Sequence, residues 1–257
     1  MSNRLVSIFF SVLFPFTYAA NQDEIIIHLI TTNDIHGAIA ENKAYWLNPE
    51  YPPDVIGAAG FSKYLKELRS EALENDEGIL IVDGGNFFQG TPMGMFDDGR
   101  TMIEWFNRIR YDAVVPGRYD FISGAANLND LINIADFPFL GANLKCNNCP
   151  IISKNFKPFI IQEIQGVKIG ILGIINSEIH DLVLSENLQG VEISYEKPTL
   201  EEWIPLVKKQ GAEIIIVLTS SSIPWDREDV YENFVVGQEK NHNLDESSLN
   251  AIEMGYF

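Results

Sequence analysis

Cysteine and histidine are scarce in this chain, and basic residues are far fewer than acidic ones. The 257 residues include two cysteines and four histidines, and 18 Lys and Arg stand against 36 Asp and Glu, for a net charge of −18 at pH 7. Two cysteines exclude a disulfide-rich scaffold and a zinc site built from two Cys pairs. The acidic balance argues against a nucleic-acid-binding surface and against an anionic membrane as a partner.

Long hydrophobic runs are also missing after the first nineteen residues, so no later segment offers the about twenty apolar residues of a membrane-spanning helix. The N-terminus combines Arg4, an apolar stretch from Leu5 to Phe16 and the sequence Thr17-Tyr18-Ala19. This pattern is typical of a signal peptide, and Pro15 disfavours a transmembrane helix. We therefore expect residues 1–19 to be a signal peptide, residues 20–257 to form one domain, and the protein to be secreted or periplasmic.

Cys146 and Cys149 lie close together in a loop rich in Asn and Pro. In an oxidising compartment they are expected to form a local disulfide. Such a small ring removes little chain entropy, so it would tighten the loop and add little to global stability. A redox pair or half of a zinc site has less support, because no second Cys pair exists and no His lies nearby in sequence.

Apolar runs alternate with segments of helical periodicity, in a chain with 46% hydrophobic residues and enough length for one sizeable core. The predicted strands are Ile25–Ile30, Ile79–Val82, Ala113–Val115, Phe139–Ala142 and Ile214–Leu218, with a hairpin from Phe159 to Ile174. Thr101 with Glu104, and Thr199 with Glu202, have the spacing of N-terminal capping boxes. The alternation predicts parallel βαβ units with ligands at the carboxyl ends of the strands, and the hairpin adds antiparallel pairing.

Polar residues follow three of these strands: Asn33-Asp34-Ile35-His36, Asp83-Gly84-Gly85-Asn86 and Gly117-Arg118-Tyr119-Asp120. An Asp and a His two positions apart can converge on one divalent ion, and oxygen with nitrogen suits Zn, Mn or Fe better than Ca. The alternative is an Asp that caps a turn and a His that binds backbone. The third segment places an arginine where a cation would bind.

Taken in series, these motifs resemble the metallophosphoesterase domain of secreted 5′-nucleotidases. The matching segments are Thr32–Gly37, Asp83–Pro92, Tyr111–Ala113, Gly117–Phe121 and Ile214–Ser220. The resemblance implies an α/β four-layer sandwich of two mixed β-sheets flanked by helices, a two-metal site, and hydrolysis of phosphate monoesters of nucleotides. It also implies an incomplete fold at the C-terminal side, without the family's C-terminal nucleotide-binding domain, because the sequence ends before the family's final histidine pair.

The first two motifs keep part of the family's metal ligands. Asp34 and His36 match ligand positions, whereas Asn86 stands where the resemblance implies a carboxylate that bridges both ions. Two dications ~3.5–4 Å apart repel each other by roughly 18 kcal/mol at an effective dielectric near 20. Because Asn86 brings no negative charge, a two-metal site is not expected. One weakly held Zn, Mn or Fe ion on Asp34, His36 and Asn86 is the remaining metal hypothesis.

The later motifs depart further from the family. Arg118 and Tyr119 replace an Asn ligand and a His that acts on the leaving group, Asp120 is retained, and Ser220 replaces a metal-binding His. We expect Arg118 to bind phosphate and Tyr119 with Asp120 to supply what catalysis remains.

Three hypotheses for the function stay open: a weak phosphoesterase, a module that binds a nucleotide or phosphate ester without turnover, and a remnant or interaction protein. If the sequence is complete, missing strands of the second sheet would leave an exposed edge, which a second copy, another partner or the chain's own C-terminal segment would cover.

Overall fold

The computed structural model describes residues 24–45 and 47–221. The predicted signal peptide, residues 1–19, lies outside these residues. The strands are β1 Ile27–Thr32, β2 Asn42–Lys43, β3 Asp54–Val55, β4 Gly78–Asp83, β5 Ala113–Val114, β6 Phe139–Leu140, β7 Leu144–Cys146, β8 Phe156–Lys157, β9 Phe159–Ile164, β10 Val167–Ile174, β11 Val191–Ile193 and β12 Ile214–Thr219. The helices are α1 Ala58–Glu74, α2 Pro92–Met95, α3 Arg100–Ile109, α4 Gly124–Ile134, α5 Ile179–Leu182, α6 Ser185–Leu188 and α7 Glu196–Lys209, with a 3₁₀ turn at Arg118–Phe121.

The larger sheet has the order β1-β4-β5-β6-β8, and all its pairings are parallel in the described part of the chain. Thr32 lies beside Asp83, and Asp83 lies beside Val114. Strands β1, β4 and β5 therefore end at the same edge of the sheet. The loops that follow them, which carry the three polar motifs, are neighbours.

The smaller sheet has the order β12-β10-β9. Strands β9 and β10 form the predicted antiparallel hairpin, which turns at Gln165 and Gly166, and β12 runs parallel to β10. Ile174 lies beside Thr219, so β10 and β12 also end together. The predicted α/β sandwich with sheets flanked by helices is confirmed, with one difference: of the two main sheets, only the smaller is mixed, and the larger is parallel in the described residues.

Strand β10 separates two apolar clusters. On one face, Ile169 and Ile171 belong to the main core, which also contains side chains of the larger sheet and of α1, α3 and α4. On the other face, Leu172 and Ile174 pack against Leu200 of α7. Right-handed crossovers place α1, α3 and α4 together on one face of the larger sheet. The resulting layers are helices, the five-stranded sheet, the three-stranded sheet and α7.

Two short antiparallel pairs, β2 with β3 and β7 with β11, were not predicted. Cys146 ends β7 and is joined to Cys149 by a disulfide. No helix among residues 24–45 and 47–221 combines the length and apolar character needed to cross a membrane.

Both predicted capping boxes are wrong. Helix α3 begins at Arg100, and the side chain of Asp97 accepts the backbone N–H of Thr101 (3.0 Å) and its hydroxyl (2.7 Å). Helix α7 begins at Glu196, so Thr199 lies within it and its hydroxyl donates to the carbonyl of Tyr195 (2.9 Å). A threonine and a glutamate three residues apart also occur inside a helix, and this spacing does not identify its first residue.

Candidate functional site

The loops after β1 and β4 are held together by backbone hydrogen bonds. The N–H of Asp34 donates to the carbonyl of Gly85 (2.9 Å), that of His36 to Asn86 (2.9 Å) and that of Gly37 to Phe87 (2.8 Å). This ladder continues the parallel pairing of the two strands past their ends. It brings two of the predicted metal-binding segments into direct contact.

Asp34, His36 and Asn86 all have left-handed backbone conformations, with φ of 51°, 51° and 59°. Residues other than glycine rarely adopt this region, and each such residue costs free energy that its surroundings must offset. Strained residues of this kind cluster at functional sites. The backbone therefore presents these three side chains in a specific, energetically costly arrangement.

The amide of Asn86 has a fixed orientation. Its Oδ1 accepts the backbone N–H of Tyr119 (3.0 Å), and its Nδ2 donates to Asp34 Oδ1 (2.7 Å). A backbone N–H can only donate, so the oxygen must face Tyr119 and the NH₂ group must face Asp34. Gly117 also touches this amide so closely that a Cβ at that position would collide with Asn86 Oδ1. Asn86 thus gives Asp34 a hydrogen-bond donor.

His36 is oriented as a metal ligand would be. Its Nδ1 lies 2.7 Å from the carbonyl oxygen of Gln89, which can only accept, so Nδ1 carries the proton in the neutral ring. The lone pair of Nε2 is then free, and this atom lies 3.7 Å from Asp34 Oδ1. The Tyr119 ring packs edge-on against the imidazole at 5.1 Å between centroids.

Arg118 brings a permanent positive charge to the same place. Its Nη2 donates to the hydroxyl of Tyr119 (3.0 Å), and its guanidinium carbon lies 4.6 Å from the centre of that ring. The side chain forms no salt bridge with a carboxylate in the described part of the chain. Contact with an aromatic face stabilises a cation while leaving most of its N–H donors available.

Asp120, expected to act in catalysis, lies beneath the site and does not line the pocket. It is fully buried, and its carboxylate accepts the backbone N–H groups of Asn86 (2.7 Å), Gly117 (2.8 Å) and Phe87 (2.9 Å). Burial raises its pKa to about 7, although these hydrogen bonds oppose the shift. Through these hydrogen bonds, Asp120 joins the loop after β4 to the loop after β5.

A second buried carboxyl group, to which the sequence assigned no role, anchors the end of β4. Asp83 accepts the hydroxyl of Thr32 (2.6 Å) and the N–H of Gly85 (2.8 Å), and the hydroxyls of Thr32 and Tyr111 lie 2.7 Å apart. Burial raises the pKa of Asp83 well above its ordinary value. Its place at a strand end was visible in the sequence, but its contacts depend on the pairing of β1 with β4.

The smaller sheet supplies the other wall of the site. Asn176 follows β10, and its backbone N–H donates to the hydroxyl of Ser220, which follows β12 (3.0 Å). Together the two sheets enclose a pocket of about 280 Å³ lined by Asp34, His36, Asn86, Arg118, Tyr119, Asn176 and Ser220. Six of these residues were singled out from the sequence. Asn176 was missed, although its position directly after an apolar strand end was a usable signal.

The donor set fits a metal poorly. Among the residues that the structure describes, no group of three or more His, Cys, Asp and Glu side chains is placed to hold a metal ion. Asp34 and His36 offer one oxygen and one nitrogen ligand, but the oxygen of Asn86 already accepts from Tyr119. The structure therefore does not support Asn86 as the third ligand, and Arg118 adds repulsion toward a cation.

Two sheets between helix layers, with polar loops meeting at the strand ends, define the class as a layered α/β sandwich with a polar pocket at its strand ends. No protein-family model matches the chain. Among solved structures, the fold is similar to a 5′-nucleotidase precursor from Thermus thermophilus, with a TM-score of 0.66 and 23% identity over 74% of this chain and 36% of that one. It is also similar to the calcineurin-like phosphoesterase YfkN from Bacillus subtilis, with a TM-score of 0.57 and 27% identity over 76% and 62% of the two chains.

Curated relatives agree with this class. A snake venom 5′-nucleotidase from Crotalus adamanteus is 29% identical over 202 residues, 77% of this chain and 33% of the relative. A 2′,3′-cyclic-nucleotide 2′-phosphodiesterase/3′-nucleotidase from Haemophilus influenzae is 26% identical over 222 residues, 79% of this chain and 32% of the relative. The chain spans about a third of the length of these relatives. The resemblance to the N-terminal metallophosphoesterase domain of 5′-nucleotidases, a metal-dependent family, is confirmed.

Proposed function

We propose that this chain is a 5′-nucleotidase-like phosphoesterase domain that binds the phosphate group of a nucleotide or related ester at Arg118, with weak or absent hydrolysis. Homology supports the phosphoesterase class. The observation that carries the finer proposal is the Asn86 amide, whose NH₂ group faces Asp34 where a bridging carboxylate would be needed. A site arranged in this way favours an anion over a pair of cations.

The chemistry of the remaining side chains agrees with binding more than with turnover. Arg118 can donate two parallel N–H groups to phosphate oxygens, which is a strong, charge-assisted contact. Activation of water needs a metal held by several ligands, and stabilisation of the developing charge needs fixed positive groups. Asp34 and His36 can contribute to one weak divalent site, but losing single charge-stabilising groups costs ~10²–10³ in rate.

The experiment compares metal content, turnover and binding on the full chain. We expect at most one Mn²⁺ or Zn²⁺ per chain by elemental analysis after dialysis, and slow phosphate release from an aryl phosphate and from a nucleoside monophosphate. Titration calorimetry should detect phosphate binding, and Arg118→Ala should weaken it by at least tenfold. Arg100→Ala, which changes an exposed arginine of α3, is the matched control. Two ions per chain with rapid turnover would refute the proposal.

The alternative is a module that binds phosphate or nucleotide and does not hydrolyse it. The contact of Arg118 with Tyr119 favours this alternative, because it fixes the guanidinium in the pocket without a metal. Phosphate release measured over a range of Mn²⁺ and Zn²⁺ concentrations distinguishes the binding module from the weak enzyme. Binding with no phosphate release at any Mn²⁺ or Zn²⁺ concentration identifies the module, whereas metal-dependent release above the rate in buffer identifies the weak enzyme.

We further propose that residues 1–19 direct export and that residues 20–257 form the phosphoesterase-like domain. Relatives from snake venom support export, and the disulfide between Cys146 and Cys149 is typical of an oxidising compartment. Detection of a mature N-terminus near Ala20 in the culture medium or periplasm tests this. An intact N-terminus in the cytosol would contradict it.

Strand β1 forms one edge of the larger sheet in the described part of the chain; Leu29 in this strand is exposed, as are Ile25 and Ile26 just before it. An open apolar edge of this kind favours association with another strand. We propose that a second copy of the chain covers it. Sedimentation equilibrium should show a dimer, and Leu29→Lys should shift it toward monomer.

A further inference from the structure

Two polar residues of the smaller sheet line the pocket without any role in the proposed binding. Asn176 follows β10 and Ser220 follows β12, so both reach the pocket from the sheet that does not carry Arg118. The hydrogen bond between them (3.0 Å) makes them one unit. Their free donors decide what this unit can bind.

The amide of Asn176 is oriented by the backbone of its own turn. Its Oδ1 accepts the N–H of Glu178 (2.8 Å), and because that group can only donate, the NH₂ group must be the free end. Within residues 24–45 and 47–221, this NH₂ group has no hydrogen-bond partner. The NH₂ group of Asn176 is therefore an uncharged donor at the pocket wall that can bind a ligand.

The hydroxyl of Ser220 behaves in the same way. Its oxygen accepts the backbone N–H of Asn176, which leaves the hydroxyl hydrogen for another acceptor. The N–H of Ser220 donates to the carbonyl of Ile174 (3.2 Å), so the residue is fixed against the end of β10. The smaller sheet thus offers two neutral donors, and the larger sheet offers the guanidinium.

We infer that Asn176 and Ser220 bind the same oxyanion as Arg118, so that a phosphate group is held between the two sheets. This inference rests on the proposed phosphate binding at Arg118. The oxygens of a tetrahedral phosphate point in several directions, and donors from two walls can satisfy more of them than donors from one. Asp34 opposes the anion, but its oxygens already accept from Asn33 (3.0 Å) and Asn86 (2.7 Å).

The test measures the dissociation constant of inorganic phosphate, and then of a nucleoside monophosphate, for the full chain by titration calorimetry. Asn176→Ala removes the NH₂ donor and should weaken both ligands about tenfold. Asn176→Asp keeps an acceptor for Glu178 but places a negative charge against the anion, so it should weaken binding on the order of 100-fold. The matched control is Asn42→Asp, the same change in the exposed β2 strand, which should alter binding less than about twofold.

The outcomes distinguish failure of the two-sheet contact from failure of the proposed phosphate binding at Arg118. If Arg118→Ala weakens phosphate binding while both Asn176 variants bind like the unaltered chain, the two-sheet contact is wrong and the proposed function stands. If the unaltered chain does not bind phosphate, both fail. Thermal unfolding of each variant confirms folding, and the larger loss in Asn176→Asp than in Asn176→Ala is a charge effect that a structural defect would not produce.

Discussion

At the scale of single residues, the Asn86 amide shows how one side chain sets the chemistry of the loops after β1 and β4. Asp34, His36 and Asn86 have left-handed φ angles, and backbone hydrogen bonds join the two loops. The group presented to Asp34 is an NH₂ donor, whereas a bridging site requires a carboxylate. The same loop backbone can therefore present a hydrogen-bond donor instead of a negatively charged metal ligand when an NH₂ group stands in place of a carboxylate oxygen.

The first residue-scale prediction reverses this exchange. Asn86→Asp combined with Arg118→Asn adds a carboxylate and removes a cation, so Mn²⁺ affinity should rise at least tenfold. Isothermal titration with MnCl₂ measures the change. Asn42→Asp with Arg100→Asn alters the net charge equally but far from the pocket, and it should leave the affinity within about twofold. Equal gains in both double variants would show that net charge alone attracts the ion.

The second residue-scale prediction concerns pH. Burial raises the folded-state pKa of Asp120 to about 7 from an ordinary value of 3.8. The folded state therefore binds more protons than the unfolded state between these values, so this residue's contribution to stability falls as pH rises from about 4 to about 7. Above that window the contribution no longer changes.

Urea unfolding of the unaltered chain and Asp120→Asn between pH 4 and 7 tests this prediction. Asp120→Asn should be less stable at every pH, because an amide cannot accept three backbone N–H groups. Its free energy of unfolding should, however, lose less than that of the unaltered chain as pH rises. Parallel curves for the two proteins would show that Asp120 does not titrate in this range.

At the scale of elements, the start of α3 allows the predicted capping box to be compared with the observed hydrogen bonds of Asp97, which precedes the N-cap residue Gly99. Asp97→Ala removes the acceptor for the N–H and hydroxyl of Thr101 and should cost about 1 kcal/mol of unfolding free energy. Glu104→Ala, at the exposed position of the predicted capping box, should change it by less than about 0.5 kcal/mol. Denaturant titration of both variants decides which residue caps the helix, and the opposite ranking would restore the capping box.

Apolar runs in the sequence predicted the buried strands well, because their residues report burial directly. The hairpin of β9 and β10 has the predicted bounds, and β4, β5, β6 and β12 begin and end within a few residues of prediction. Strands β2 and β7 were missed because their residues are mostly exposed and form no apolar run, whereas β5 and β6, which are equally short, are fully buried. Their pairing depends on partners that are distant in sequence.

Much of the site was also predictable, but the roles of its residues were less so. Loops after parallel strands meet at one edge, so Asp34, Asn86 and Arg118 were correctly expected to converge. Asp120 also follows a strand of this sheet and yet turns beneath the site, where its carboxylate accepts three backbone N–H groups. The sequence shows which loop a residue belongs to. Which way its side chain faces depends on the buried backbone groups that need a hydrogen-bond partner.

At the scale of the whole molecule, the negative net charge contrasts with the arginine in the pocket. The chain carries a net charge of −18, yet its pocket contains Arg118 without a carboxylate partner in the described residues. The overall field slows the approach of an anion, while the local guanidinium and hydrogen-bond donors hold it once it arrives. Phosphate affinity should therefore depend on the few pocket residues, with net charge acting mainly on the association rate.

The pocket also couples the two sheets, which leads to a prediction for hydrogen exchange. A phosphate held by Arg118 on one sheet and by Asn176 on the other must be released before either loop opens. At a phosphate concentration 100 times the dissociation constant, the bound state is stabilised by ~2.7 kcal/mol, which slows such opening about 100-fold. Amides of residues 34–37 and 86–87 should be protected together with those of residues 176–178 and 220, and Arg118→Ala should abolish the effect in both groups. Protection confined to the loops of the larger sheet would contradict the coupling, because a ligand bound on one wall alone leaves the opposite wall free to open.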